Sequence, residues 1–159
     1  MSKRKYGLAP VADVKTEILI LGTLPSDVSL SKAQYYAKPS NDFWKLLETV
    51  LNEPITNAPY EAKIEELSAH KIGLWDVYHS VVRPGNMDKD ISEKRLNDFT
   101  TLKKIAPNLR LVCFNGKEAA RSEELLRGLG YTTRVFPSSS VANRRNQEER
   151  LRCTISVFT

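Results

Sequence analysis

The stretch "YYAKPSNDFWKLL", residues 35–47, sets two tyrosines, an asparagine and an aspartate just ahead of an amphipathic helix start. A tyrosine ring offers a flat face on which a planar base can stack, a contact worth about 1–3 kcal/mol. Core packing is the other use for Tyr35 and Tyr36. The Asn41 carboxamide is no proton acceptor near neutral pH, but its carbonyl can orient a water. Asp42 can serve as a general base or stabilise the first helical turn. Asp76 ends the apolar run "IGLWD"; it can read the polar edge of a ligand or cap a loop. "PSSS" at 137–140 offers hydroxyls and backbone N–H groups to a phosphate, or forms a simple turn.

Other chemistries find no footing. "GTLPSD" at 22–27 lacks both GxGxxG and the GKS/T ending, which disfavours triphosphate and dinucleotide binding. There is no GxSxG elbow. His70 falls inside a helical pattern and reads as a surface or capping residue, and His79 follows a strand without an evident partner. Cys113 and Cys153 are far apart, and with two histidines they give neither metal spacing nor a disulfide framework. Neither a metal nor a cofactor is expected.

The elements that must position these residues alternate. "EILILG" (17–22), "GLWDVYHSV" (73–81), "LRLVCFNG" (109–116) and "YTTRVFPSSS" (131–140) read as buried strands with their exit loops. Between them, "NDFWKLLETVL" (41–51) has apolar residues at helical spacing, with Ser40 as the expected N-cap. "APYEAKIEELSAHKIG" predicts a helix over 59–70, and "EKRLNDFTTLKKIAP" predicts another that stops near Pro107. "KEAARSEELLRGLG" predicts a strong helix stopped by Gly128 and Gly130. "RPGNMDKDIS" reads as a polar loop, and the segment from Arg145 onward as a last helix. This order predicts an α/β fold, with a parallel sheet covered on both faces. Ligands of such sheets bind beyond the carboxyl ends of the strands, so the loops at 22–27, 75–80, 114–117 and 136–143 are the segments to watch.

The 159 residues fit one domain, 1–159, with a real core. The longest apolar run, "ILIL" at 18–21, is far too short to span a bilayer. "MSKRKYGLAP" is basic without a following apolar core, and reads as an arm on a cytoplasmic protein. A net charge of +5 is compatible with a polyanionic partner. "NRRNQEERLR" at 143–152 clusters arginines, but its glutamates also fit a solvated helix with i,i+4 pairs. A monomer with no obligatory protein partner is expected.

"LILGTLPSDVSLSKAQYYAKPSNDFWKLL" resembles the first motif of the uracil-DNA glycosylase superfamily, closest to the hypoxanthine-DNA glycosylases and the mismatch-specific uracil glycosylases. The Gly-x-x-Pro turn and the aromatic-x-x-Pro-x-Asn-x-Phe-Trp run stand in family order, "IGLWDVYHSV" resembles the second strand, and "FNGKEA" the third-strand turn. "FPSSSVANRR" resembles the closing DNA-binding loop, so the likeness covers about residues 17–150. It implies a three-layer α/β/α sandwich around a four-stranded parallel sheet, and hydrolysis of the N-glycosidic bond of a deaminated base in DNA. Residue by residue, it implies that Asn41 orients the water, since Leu24 stands where other members carry Asp or Asn. It implies Tyr36 as the stacking aromatic, Asp76 as the base reader, and Gly22 and Leu24 in the base-binding turn. It implies DNA contacts from Lys117, Ser138, Ser139, Ser140, Val141, Asn143, Arg144 and Arg145. Phe136 stands where some uracil-specific members carry a histidine, and Val141 replaces a proline. Hypoxanthine is the expected base; a uracil or mismatch glycosylase, an inert binder of damaged DNA and a small-molecule α/β enzyme are the alternatives.

Overall fold

A computed structural model describes residues 3–137. Strands β1 (Arg4–Tyr6), β2 (Ile18–Gly22), β3 (Ile72–Asp76), β4 (Tyr78–Val82), β5 (Ser92–Leu96), β6 (Leu111–Asn115) and β7 (Thr132–Phe136) form two sheets. The helices are α1 (Asp27–Lys32), α2 (Phe43–Leu51), α3 (Tyr60–Ala69), α4 (Leu102–Ile105) and α5 (Glu123–Gly128).

The main sheet is parallel in the order β3-β2-β6-β7. Both of its faces are covered, as the apolar runs require. Leu19, Leu21, Val112 and Phe114 point to one side and pack with Phe99, Leu102 and Leu126 from the α4–α5 half of the chain. Ile20, Leu74, Cys113 and Phe136 point to the other and pack with Phe43, Trp44 and Leu47 of α2 and Leu67 of α3. This is the expected three-layer α/β/α arrangement. Chain order runs from β2 outward to β3, then back across to β6, so the direction of winding reverses between β2 and β6. A crevice at the carboxyl ends of the strands follows from that reversal.

Several elements differ from expectation. "EKRLN" is not helical: Ser92–Leu96 is β5, paired antiparallel with β4, and only Leu102–Ile105 forms an α-turn after a 3₁₀ turn at Phe99–Thr101. Its Lys, Arg and Glu favour helix weakly, and pairing with β4 outweighs that preference. The basic amino-terminal segment is not an arm, because Arg4–Tyr6 pairs with Val82–Ser80 as the third strand of this small sheet. "HSV" belongs to β4 rather than to a loop. The helix expected from "KEAARSEELLRGLG" is split into a 3₁₀ turn at Ala119–Ser122 and α5. The small sheet is tied to the β6 exit through the Tyr78 hydroxyl, which donates to Glu118, itself paired with Lys94 at 3.1 Å.

The two tyrosines separate in role. Tyr35 is 3% exposed and belongs to the core. Its hydroxyl donates to the carbonyls of Ala9 (2.8 Å) and Leu8 (3.2 Å), its N–H donates to the Tyr60 hydroxyl, and its carbonyl accepts from Trp44 Nε1. The segment carrying Tyr36 and Asn41 is thereby nailed to the layer beneath it. Ser29 adds a second tie, since its Oγ accepts from Ala37 N–H at 3.0 Å. Tyr35→Ala is expected to cost roughly 3–5 kcal/mol, as large aromatic truncations in cores do; urea unfolding measures it. A cost under about 1 kcal/mol would mean that this anchor is not needed.

Candidate active site

The carboxyl edge of the main sheet brings together residues that are far apart in the chain. Gly22 pairs with Asp76, and Asn115 with Phe136. Gly22 and Asn115 each lie one residue beyond the Leu21–Phe114 pair. By strand alternation all four face the side that carries α2, next to Ile20, Leu74 and Cys113. Tyr36 closes over this row. Its hydroxyl accepts from Asn115 Nδ2 at 3.2 Å, and its ring stacks on Phe43 with centroids 3.8 Å apart and planes 16° apart. One ring face of Tyr36 is thus already covered.

Gly22 is set by close approach. A Cβ there would lie 2.7 Å from Asp76 Oδ1 and 3.0 Å from the Tyr36 hydroxyl. Tyr36 itself has φ 54°, a left-handed conformation that an aromatic residue rarely adopts. Such strain is held only where the surroundings over-determine it, here by the Phe43 stack and the Asn115 bond.

Asp76 is 4% exposed, and its Oδ2 meets no hydrogen-bond donor among the described residues. Burial pushes its carboxyl up to about 7, with Arg83 opposing the rise and Asp88 adding to it. Burial and the Asp76 charge hold the Tyr36 phenol well above its usual range, so its hydroxyl stays protonated.

Asn41 lies in the turn that enters α2. Its Oδ1 accepts from Phe43 N–H at 2.9 Å across the turn, and the N-cap of α2 is Asp42 rather than the expected Ser40. This bond fixes the carboxamide plane and leaves a second lone pair on Oδ1. Asp42 is the residue preceding α2. Leu24 departs from its expected place: its side chain is 8% exposed and packs in the core cluster with Val77, Tyr78 and Val81. Only its backbone belongs to the Gly22–Pro25 turn. Lys117 is exposed just past the end of β6. Ser138, Ser139, Ser140, Val141, Asn143, Arg144 and Arg145, and the last helix expected from Arg145 onward, lie outside the described residues.

Phe136 is buried in the core. His79 is exposed and meets Tyr6 edge-on, while His70 sits at the C-cap of α3 beside Glu66. Glu53, Glu66 and His70 bring ligand atoms within 4.8 Å of one another, but at the end of α3 that leads into the start of β3, away from the carboxyl edge. Burial pushes the Cys113 thiol up to about 12, which leaves it a packing residue.

Asn115, Phe43 and Arg83 were not singled out from the sequence. Asn115 ends an apolar strand as Asp76 does, and a polar residue in that position was the available signal. Arg83, 1% exposed, follows "SVV" as a charged residue at the end of an apolar run.

The raised Asp76 carboxyl has a consequence for stability. A group whose folded value lies near 7 and whose ordinary value is 3.8 favours folding least when ionised, so its contribution falls as pH rises between them. Asp76→Asn is therefore expected to be more stable than the parent at pH ~8, by up to roughly 4 kcal/mol, and to lose that advantage by pH ~4. Urea unfolding at several pH values measures it; an advantage that does not change with pH would contradict the assignment.

The family model "UDG: Uracil DNA glycosylase superfamily" matches residues 9–156. A hypoxanthine DNA glycosylase of Methanosarcina acetivorans is 50% identical over 146 residues, 92% of each chain. A second hypoxanthine DNA glycosylase, from Methanosarcina barkeri, is 49% identical over 147 residues, covering 92% of this chain and 93% of that one. A solution NMR structure from Methanosarcina acetivorans, of a protein described provisionally as a uracil DNA glycosylase, superposes with a TM-score of 0.90 at 48% identity. That match covers 98% of this chain and 97% of the other.

Proposed function

The chain belongs to the uracil DNA glycosylase superfamily and is a DNA glycosylase for deaminated bases, and we propose that hypoxanthine is its principal substrate, with Asn41 orienting the attacking water. The observation that carries the site assignment is the Asp76–Gly22–Tyr36 cluster. The Asp76 carboxyl borders the space that a side chain on Gly22 would fill, with Oδ1 2.7 Å from that Cβ position, and its buried Oδ2 meets no donor among the described residues. An unmet acceptor of this kind costs about 1–3 kcal/mol or more in the free protein. A base that offers an N–H there removes the cost on binding.

Hypoxanthine presents N1–H as a donor beside the O6 acceptor. The nucleotide is extruded from the duplex, at a cost of a few kcal/mol that is smallest at a weakened pair. Its N1–H meets ionised Asp76, and its plane lies against the Tyr36 side of the cleft. The Phe43 stack makes Tyr36 a rigid wall, so little order has to be gained when the base arrives. As the C–N bond breaks, electrons pass to the purine and the sugar becomes oxocarbenium-like. Water held by the second lone pair of Asn41 Oδ1 adds to the anomeric carbon, and the proton it loses ends on the departing purine anion. An amide suffices, because a largely formed oxocarbenium ion needs placement of the water more than deprotonation of it. Asp42 is the alternative base. No step calls on a metal or cofactor.

DNA is held in this reading by Lys117 and by Ser138, Ser139, Ser140, Val141, Asn143, Arg144 and Arg145. Pro137, the last described residue, follows β7 at the same carboxyl edge. Gly22 and the backbone at Leu24 shape the floor. The protein acts as a single domain, 1–159, as a monomer in the cytoplasm. No helix of the described residues is long and apolar enough to cross a membrane.

Counting abasic sites on duplexes that differ only in carrying hypoxanthine, uracil or no lesion tests the substrate. Hypoxanthine should be released fastest and the undamaged duplex left intact. Faster release of uracil would favour a uracil glycosylase, and binding without abasic product an inert binder. Asn41→Ala should lose roughly 100-fold or more in single-turnover excision and about 1 kcal/mol of stability with the lost bond to Phe43 N–H. Asn41→Asp keeps an acceptor for Phe43 N–H and should keep the stability. Near-normal turnover in Asn41→Ala would move the water-orienting role to Asp42.

A further inference from the structure

The loop after β4, "RPGNMD" at 83–88, has no function in the reading so far, yet it makes three bonds to one short turn. Arg83 donates to the Pro25 carbonyl at 2.7 Å. Thr23 Oγ1 donates to Asp88 Oδ2 at 3.2 Å. Asn86 Oδ1 accepts from Asp27 N–H at 2.8 Å. That turn, Gly22–Asp27, leaves β2 at the cleft, and its first residue abuts Asp76 and Tyr36.

Arg83 stands out energetically. It is 1% exposed, and a guanidinium taken out of water must be met by acceptors and opposite charge. Its Nε donates to the Gly85 carbonyl at 2.7 Å, closing the loop on itself, and its other end reaches Pro25 and lies 3.9 Å from Asp27. Asp27 is in turn paired with Lys5 at 2.7 Å. The Arg83 charge acts to lower the Asp76 carboxyl, and Asp88 acts on the same carboxyl as a like charge that raises it. Tyr35 and Tyr36 are the other titratable groups that sense Asp76.

We propose that the loop 83–88 is a positioning clamp for base recognition, in which Arg83 fixes the Gly22–Pro25 turn and sets, against Asp88, the charge state of Asp76. The inference rests on the reading that Asp76 meets the base. Arg83 touches no substrate; it acts through the turn and through Asp76. The clamp answers a specific problem. An Asp76 left alone with burial would stay protonated at neutral pH and could not accept from N1–H. The buried guanidinium opposes that, and Asp88 at the loop's far end moderates the effect.

The test reads two quantities in the same variants: the titration midpoint of the Asp76 carboxyl by ¹³C NMR on the free protein, and the acid limb of single-turnover hypoxanthine excision. In the parent both should lie together, with excision falling as pH drops through the Asp76 midpoint, tenfold per unit at the steep end. Arg83→Gln should move both up by about one unit or more. Asp88→Asn, at an exposed residue, should move both down. Asn86→Ala, also exposed, should leave the midpoint in place and slow excision by roughly 3–10-fold through a looser turn.

If folded Arg83→Gln leaves the Asp76 midpoint unmoved, the clamp is overturned. If Arg83→Gln does not fold, Asp88→Asn decides, and an unchanged midpoint overturns the proposal. If the midpoint moves while the excision limb stays, the clamp has no part in base recognition and Asp76 does not meet the base. A parent protein with no hypoxanthine excision at any pH would instead fail the substrate assignment, whatever the Asp76 titration shows.

Discussion

Asp76 holds one carboxylate oxygen out of water with no donor to meet it among the described residues, at the end of a strand that is buried along its whole length. Much of the local architecture can be understood from that constraint. Gly22 must be glycine because a side chain would collide with Asp76 and Tyr36. A buried arginine follows β4, where its charge can oppose the tendency of the carboxyl to keep its proton. Tyr36 is fixed by a ring stack and an amide so that its hydroxyl stands beside the carboxylate rather than relieving it by a bond. In the proposed reading the free enzyme is poised at a cost that a base with an N–H donor removes, which is how binding energy becomes selective.

The parallel sheet makes this possible by register. Asp76, Gly22, Asn115 and Phe136 come from four strands, yet they form a single row on a single face. The reversal of winding between β2 and β6 opens the crevice there. Helix α2 brings Phe43 to the same edge, with Asn41 in the turn that enters it, because the Tyr35 anchor sets where that turn lies. Positioning is done by rigid elements.

What could be read from the sequence follows the physics of each segment. The four buried strands announce themselves as short apolar runs, and α2 and α3 as helical patterns, so the layered α/β fold was legible. The small sheet was not. "SEKRL" has no alternation of apolar and polar residues because every one of its side chains is exposed, and it is a strand only because β4 lies beside it. Residue type and motif single out Asn41, Tyr36 and Asp76, and the structure sets Tyr36 and Asp76 beside Gly22. Their setting was not legible, since the Phe43 stack, the Asn115 bond and the Arg83 network join positions dozens of residues apart. Leu24 shows the opposite error: a residue inside a functional motif whose side chain serves the core.

The central claim is that a base completes Asp76. The direct measurement is the proton balance of binding, from calorimetry in buffers of different ionisation heat, with catalysis disabled by Asn41→Ala. At pH ~6.5 a buried carboxyl with a midpoint near 7 is mostly protonated. Binding a hypoxanthine duplex should then release roughly three-quarters of a proton more than binding the undamaged duplex, as Asp76 ionises to accept N1–H. The excess should vanish when Asp76→Asn is added. Equal proton balance for the two duplexes, or an excess that survives Asp76→Asn, would contradict the account.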